Sequence, residues 1–464
     1  MAGIGFRLKR LIAEESYGGW LRAHLYGAVV SSGPWLLSVF TLAALALLSR
    51  ETLRSPALEI FRSTVIYCYT FSLITTGGVQ MVVTRHLADA LYLGDESVLA
   101  GSFRWTIGAT ALGHLALGGA FFGLAPGLSP VERIAAVLLF VVVGCTWIAM
   151  IFLGAAQDYA SVILAFFVGN AVSLAGALLL GGSGGPGGYL AGFVLGQAAI
   201  FFVLAARIER EFPAAGRPEG RFLLRSFRRY PDLVAAGLFY NAAIAVDRIV
   251  FWISPAGFGV GSWFYASRYD APLFLAYVSV VPSLAFFLVS IETGFYDRYR
   301  QYYGVVTKHG TLRQVLEAKR VMALTLRDSL GRLLLVQGPV TLSLMIGAPW
   351  TAAAMGMGRI QVGILRAALV GAALHALALF GIIVLLYFDR RRAAVEVALL
   401  FLAGNAGLTA VTLWLGPGFY GFGYPVAALC ACAWAYRRLE ATFENLEYLT
   451  FASQPMSPDP GLAA

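Results

Sequence analysis

The chain has 464 residues, of which 59% are hydrophobic and only 13% charged. Soluble globular domains carry about 25% charged residues, so the composition excludes an ordinary soluble fold, and recurring apolar runs of 18 or more residues point to a polytopic membrane protein. The formal net charge of +9 belongs to loop arginines in such a protein and does not signal nucleic-acid binding.

The first element is a basic amphipathic segment, GIGFRLKRLIAEES, with Ile4, Leu8, Leu11 and Ile12 on one face. The apolar run Leu25–Leu48 follows. It is longer than the ~7–15-residue core of a signal peptide and is expected to be a retained first span. This run carries Ser31, Ser32 and Pro34 near mid-depth. A proline removes one backbone hydrogen bond and bends a helix, and nearby hydroxyls can satisfy the freed carbonyls. The pattern suits a helix that bends as a cavity opens, or equally a static kink that shapes a lobe.

Twelve spans are expected, centred near Trp35, Ile74, Leu112, Val143, Val168 and Phe193, then Leu238, Val280, Leu335, Leu374, Ala403 and Leu429. With a cytoplasmic N-terminus, 26 of the 34 Lys and Arg fall on the cytoplasmic side and six on the other, with Arg248 and Arg366 inside spans. That asymmetry supports the twelve-span count and a cytoplasmic location for both termini of a multi-pass membrane protein.

The arginine-rich connection after span six divides the chain. The expected plan is a cytoplasmic amphipathic segment at 1–20, an N-terminal six-helix lobe at 21–208 and a basic cytoplasmic linker at 209–230. A C-terminal six-helix lobe at 231–437 with an amphipathic cytoplasmic insertion at 298–329 follows, then a cytoplasmic tail at 438–464. Two parallel six-span halves are a known transporter plan. The insertion, GTLRQVLEAKRVMALTLRDSLGR, aligns Leu312, Val315, Leu316, Met322, Leu326 and Leu330. It fits an interfacial helix with snorkelling basic residues, or a docking face for a cytoplasmic partner carrying Arg313, Lys319 and Arg320. The four cysteines, Cys68, Cys145, Cys430 and Cys432, all fall in apolar segments and are expected to be buried small hydrophobes.

Five scattered histidines form no metal-ligand spacing, and no phosphate loop, nucleophile elbow or cofactor motif is present, so neither an enzyme nor a metal or cofactor is expected. The informative polar residues are those inside spans, where charge is costly and marks a path or a partner. Asp247 and Arg248 lie in span seven, Arg366 and His375 in span ten, and Asn241 adds a neutral polar group. Asp247 and Arg248 fit helix pairing or cavity lining equally. Arg366 could snorkel to the outer interface, and His375 could be a satisfied buried histidine. Together with Ser31, Ser32 and Pro34 these residues are the candidates for a transport cavity and its gating.

The opening MAGIGFRLKRLIAEES with SSGPW, the segment YYGVVTKHGTLRQVLEAKRVMALTLRDSL, LLYFDRRR and the late GFYGFGY together resemble the Pel exopolysaccharide transporter family. That family lies within the multidrug/oligosaccharidyl-lipid/polysaccharide flippase superfamily. The resemblance implies an all-α polytopic membrane protein of about 12 transmembrane helices, in two pseudo-symmetric six-helix lobes around a central cavity, working by alternating access. It implies export of a polymer rich in N-acetylated hexosamines for biofilm formation. The implied partners are a cytoplasmic glycosyltransferase and two further inner-membrane subunits, one a cyclic di-GMP receptor. No catalytic residue is carried over. A flippase for lipid-linked oligosaccharide and a membrane scaffold for the synthase are the alternatives; the first needs a cationic cavity and the second needs no path.

Overall fold

In hydrocarbon every backbone polar group must be satisfied internally, which leaves the helix as the default for an apolar chain. The computed structural model describes residues 17–49, 55–95, 97–156, 158–212 and 220–452, and these are helical almost throughout. The N-terminal half contains α1 (Tyr17–Leu48), α2 (Ser55–Leu93), α3 (Ser97–Phe121), α4 (Pro130–Ala155) and α5 (Tyr159–Glu211). A short helix, α6 (Gly220–Arg229), leads into α7 (Pro231–Ile253). An antiparallel hairpin, β1 (Phe258–Val260) and β2 (Trp263–Tyr265), pairs Phe258 with Tyr265. Beyond it come α8 (Ser267–Val278), α9 (Val281–Ser290), α10 (Tyr296–Thr307), α11 (Leu312–Ala354), α12 (Arg359–Tyr387), α13 (Arg391–Leu415), α14 (Gly423–Glu444) and α15 (Leu446–Phe451).

Eight helices among the described residues are long and apolar enough to cross a membrane, with α8 and α9 counted as one. The 53-residue α5 is two arms hinged at Gly185, whose φ of 56° is closed to most side chains and is followed by Pro186. This hinge falls in the glycine-rich stretch GGSGGPGG at Gly181–Gly188, between the fifth and sixth spans. The second arm of α5, together with α1, α3 and α14, brings the helical passes to twelve. Even the shortest of these, the 22-residue α14, is about 33 Å long.

Several local expectations change. The span centred on Val280 is interrupted there, because Pro282 starts a new helix and a π-turn at Ile291–Phe295 follows. The amphipathic insertion and span nine form one continuous 43-residue helix, α11, capped by Thr311, whose hydroxyl accepts from the Gln314 amide. Cys430 is exposed, whereas Cys68, Cys145 and Cys432 are buried; it lies on the outward face of α14, where an apolar side chain faces lipid at no cost. The segment 1–16 and the tail 453–464 lie outside the described residues.

The lobes meet reciprocally. The first helix of each half packs on the second helix of the other, α1 against α9 and α2 against α7. Glycines allow the closest approach: a Cβ on Gly237 would lie 2.1 Å from the Gly77 carbonyl oxygen, and one on Gly77 would lie 2.5 Å from the Gly237 carbonyl oxygen. The remaining helices pack within their own halves, around α4 and α5 on one side and α12, α13 and α14 on the other.

Candidate functional site

Asp247 stands five turns into α7 and is fully buried. Its Oδ2 accepts a hydrogen bond from the Tyr269 hydroxyl at 2.7 Å, and its Oδ1 has no partner among the described residues. On the next residue, Arg248 donates to the Ile244 carbonyl at 3.5 Å, and among the described residues its buried Nε has no partner. Asp270, in the first turn of α8, accepts from the Trp252 indole at 3.0 Å and from the Ala266 amide at 3.2 Å. Phe251 stacks on Tyr269 with centroids 3.8 Å apart. The cluster therefore sets two carboxylates and one guanidinium among aromatic rings, with one carboxylate oxygen and one guanidinium nitrogen unsatisfied. Such under-bonded charge inside a span is a high-energy arrangement.

Other expected residues take separate places. His375 is buried between two tyrosines, with Tyr240 at 2.9 Å from Nε2 and Tyr424 at 3.1 Å from Nδ1. Asn241 donates to the Leu73 carbonyl across the lobe interface at 3.0 Å. Arg366 is exposed, its Nε donating to the Met345 carbonyl at 3.1 Å on the outside of the second lobe. In the first lobe Pro34 and Ser32 are buried. The Pro34 carbonyl accepts from Ser38, four residues later, at 3.2 Å. The side chain of Ser31 lies outside the described residues. A second polar chain in this lobe runs from the Tyr69 hydroxyl to Gln197 (2.7 Å) and on to Ser173 (3.1 Å).

The lobes are fastened to each other at both ends. At the arginine-rich end, Arg85 of α2 pairs with Asp389 at 3.3 Å, and Arg391 pairs with Asp389 at 3.1 Å and with Asp232 at 3.2 Å. The Tyr230 ring lies beneath Arg85 and Arg391, whose guanidinium carbons are 5.5 and 4.9 Å from its centroid. At the opposite end Tyr67 of α2 donates to the Phe264 carbonyl at 2.8 Å and accepts from its amide at 3.2 Å. Tyr67 also stacks on Trp252 at 4.9 Å. Trp252 thus joins this end to the charged cluster, because its indole nitrogen is the one bonded to Asp270.

Of the docking candidates, Arg313 and Arg320 are exposed, whereas Lys319 is partly buried in an ion pair with Glu447 at 2.7 Å. Sequence reasoning passed over Asp270, Trp252 and the Arg85–Asp389–Arg391–Asp232 group. Asp270 sits in the first turn of a helix, where an acid ordinarily complements the dipole. The ion-pair group joins residues some 300 positions apart, and nothing local announces it.

Among solved structures, the fold is similar to a Vibrio cholerae MATE transporter, VcmN, in its bent form. The TM-score is 0.62 at 12% identity, covering 92% of this chain and 99% of that one. It is also similar to an outward-facing multidrug resistance MATE family transporter of the MOP superfamily, with TM-score 0.61, 14% identity and coverage of 90% and 96%. A third structure, a MATE in its straight conformation, gives TM-score 0.60 at 14% identity, covering 91% and 96%. No curated protein matches the sequence. The all-α membrane fold is thereby shared with these MATE transporters. A family model described as "Putative exopolysaccharide Exporter (EPS-E)" matches residues 1–451, and the chain belongs to that family, PelG.

Proposed function

We propose that this chain moves the Pel polymer, rich in N-acetylated hexosamines, across the bacterial inner membrane during biofilm formation, by alternating access between its two lobes. The observation that carries the reading is the family match over residues 1–451. In this reading the arginine-rich end is cytoplasmic, as are both termini, because Lys and Arg are retained on that side. The polymer is handed over by a cytoplasmic glycosyltransferase. Two further inner-membrane subunits, including a cyclic di-GMP receptor, complete the assembly.

The chemistry of the interface supports a neutral sugar substrate. Sugar rings present apolar faces and hydroxyls, which suit aromatic platforms and uncharged hydrogen-bonding groups. Tyr67 supplies such a group between the lobes, and Tyr69, Tyr240 and Tyr277 supply others within them. A pyrophosphate-linked substrate would need excess positive charge, yet Arg248 is matched by two carboxylates and Arg366 points away on the exposed surface. This weighs against a lipid-linked oligosaccharide flippase.

The test uses sealed proteoliposomes holding this chain and its co-purifying glycosyltransferase, with labelled sugar nucleotide on the synthase side. Polymer protected inside the vesicles, and dependent on this chain, is the expected outcome. Polymer made in full but left on the synthase side would overturn export and favour a scaffold.

A further inference from the structure

On the arginine-rich side of the second lobe, α11 and α14 line a groove of about 950 Å³. Its walls are apolar, formed by Leu326, Leu330, Tyr436 and Phe443. Three charges stand among them: Arg327, Arg437 and Glu440. Among the described residues none of the three is in an ion pair, whereas the neighbouring Arg438 is already engaged by Glu396. The Tyr436 hydroxyl is buried and, among the described residues, has no hydrogen-bond partner. One turn beyond the groove, the Lys319–Glu447 pair at 2.7 Å ties α11 to α15.

The depth of the groove follows from the two helices. The apolar stretch of α11 begins at Leu333, six residues past Arg327, or about 9 Å along the axis. In α14 the apolar stretch Tyr424–Tyr436 ends directly at Arg437. Arg327, Arg437 and Glu440 therefore lie at headgroup level, and Leu330 and Tyr436 lead toward the hydrocarbon.

We infer that this groove binds one phospholipid whose headgroup carries both a phosphate and a primary ammonium, namely phosphatidylethanolamine. Arg327 and Arg437 hold the phosphate through charge-assisted bonds. Glu440 accepts from the ammonium, and the Tyr436 ring lies against the lipid as an apolar wall. The acyl chains run along Leu330 toward the bilayer centre. The headgroup is specified by the charge pattern, two cations and one anion. Phosphatidylglycerol offers Glu440 no cation, and the quaternary ammonium of phosphatidylcholine has no N–H to donate.

The experiment is lipid retention by the purified full-length chain, measured by native mass spectrometry after exchange into nanodiscs of equal phosphatidylethanolamine and phosphatidylglycerol. The native chain should retain one phosphatidylethanolamine in preference to phosphatidylglycerol. Arg327→Gln with Arg437→Gln should weaken that retention about tenfold or more, the loss expected from removing charge-assisted contacts. Glu440→Gln should keep a bound lipid but lose the preference. Equal retention of the two lipids by the native chain would overturn the inference, as would an unchanged preference in Glu440→Gln. If the double arginine variant does not fold, Glu440→Gln alone decides the question. Because the readout is lipid and not polymer, failure here leaves the export reading intact, and failure of export leaves this result standing.

Discussion

At the residue scale the charged cluster of Asp247, Arg248 and Asp270 decides whether the second lobe takes part in transport. Removing one partner from a buried charged group leaves the other uncompensated, so substitutions that preserve shape are the informative ones. Asp247→Asn keeps the bond from Tyr269 while removing the charge. It is expected to lower export at least about tenfold, roughly 1.4 kcal/mol in the transport barrier, at unchanged abundance of folded protein. Radiolabelled polymer in the proteoliposome assay, with membrane protein measured in parallel, checks this; full export by both Asp247→Asn and Arg248→Gln would take the cluster out of the path. Asp247 was visible in the sequence because a carboxylate amid apolar residues stands out. Asp270 was not, because an acid in a first helical turn is ordinary, and its bond to Trp252 depends on how α7 and α8 come together. His375 was equally visible, but the two tyrosines that satisfy it lie 135 and 49 positions away.

At the scale of elements the contact of α2 with α7 rests on glycine. The Gly237→Ala methyl would collide with the Gly77 backbone, and overpacking of this kind costs about 1–3 kcal/mol. The expected result is a lower unfolding temperature in detergent, while Gly119→Ala, whose Cβ meets nothing within 4 Å, should leave it unchanged. The exposed face of α11 poses a separate question. Arg313 and Arg320 lie beside exposed Leu312, Leu316 and Leu324, a surface suited to the bilayer interface or to a partner. Reversing both arginines to glutamate should release the glycosyltransferase in co-purification if this face docks it. Unchanged recovery, with weaker binding to anionic vesicles, would assign the face to the membrane. Periodicity announced this amphipathic stretch, but its continuity with span nine was not legible: the sequence carries Gly331 but no proline between Thr311 and Pro339, and a polar surface followed by an apolar run fits one helix or two.

At the scale of the molecule the two fastened ends oppose each other. Exposed ion pairs contribute about 0–1 kcal/mol each, and the Arg85–Asp389 pair that crosses between the lobes is exposed, so it is a weak closure. Asp232→Asn with Asp389→Asn should raise the open population about two- to tenfold. A single cysteine placed by Met81→Cys in a cysteine-free background reports this as faster labelling by a membrane-impermeant maleimide from the arginine-rich side. An unchanged rate would mean that packing of α2 on α7 holds that end closed. The opposite closure is tied to the charged cluster through Trp252, so Trp252→Phe should loosen that end and leave labelling at position 81 unaltered.

Composition and the spacing of apolar runs by themselves determined that this chain is a helical membrane protein of about twelve passes, because hydrocarbon imposes length and apolarity on each helix separately. The distribution of arginine divided it into two halves for the same local reason. Only the tertiary structure decided which polar residues meet. It drew Asp270 to Trp252 beside Asp247 and Arg248, left Arg366 on the surface, enclosed His375 between tyrosines and joined Arg85 to Asp389. Those pairings depend on helix rotation and lobe contact, set by close glycine packing and by many small side-chain contacts spread over distant parts of the chain.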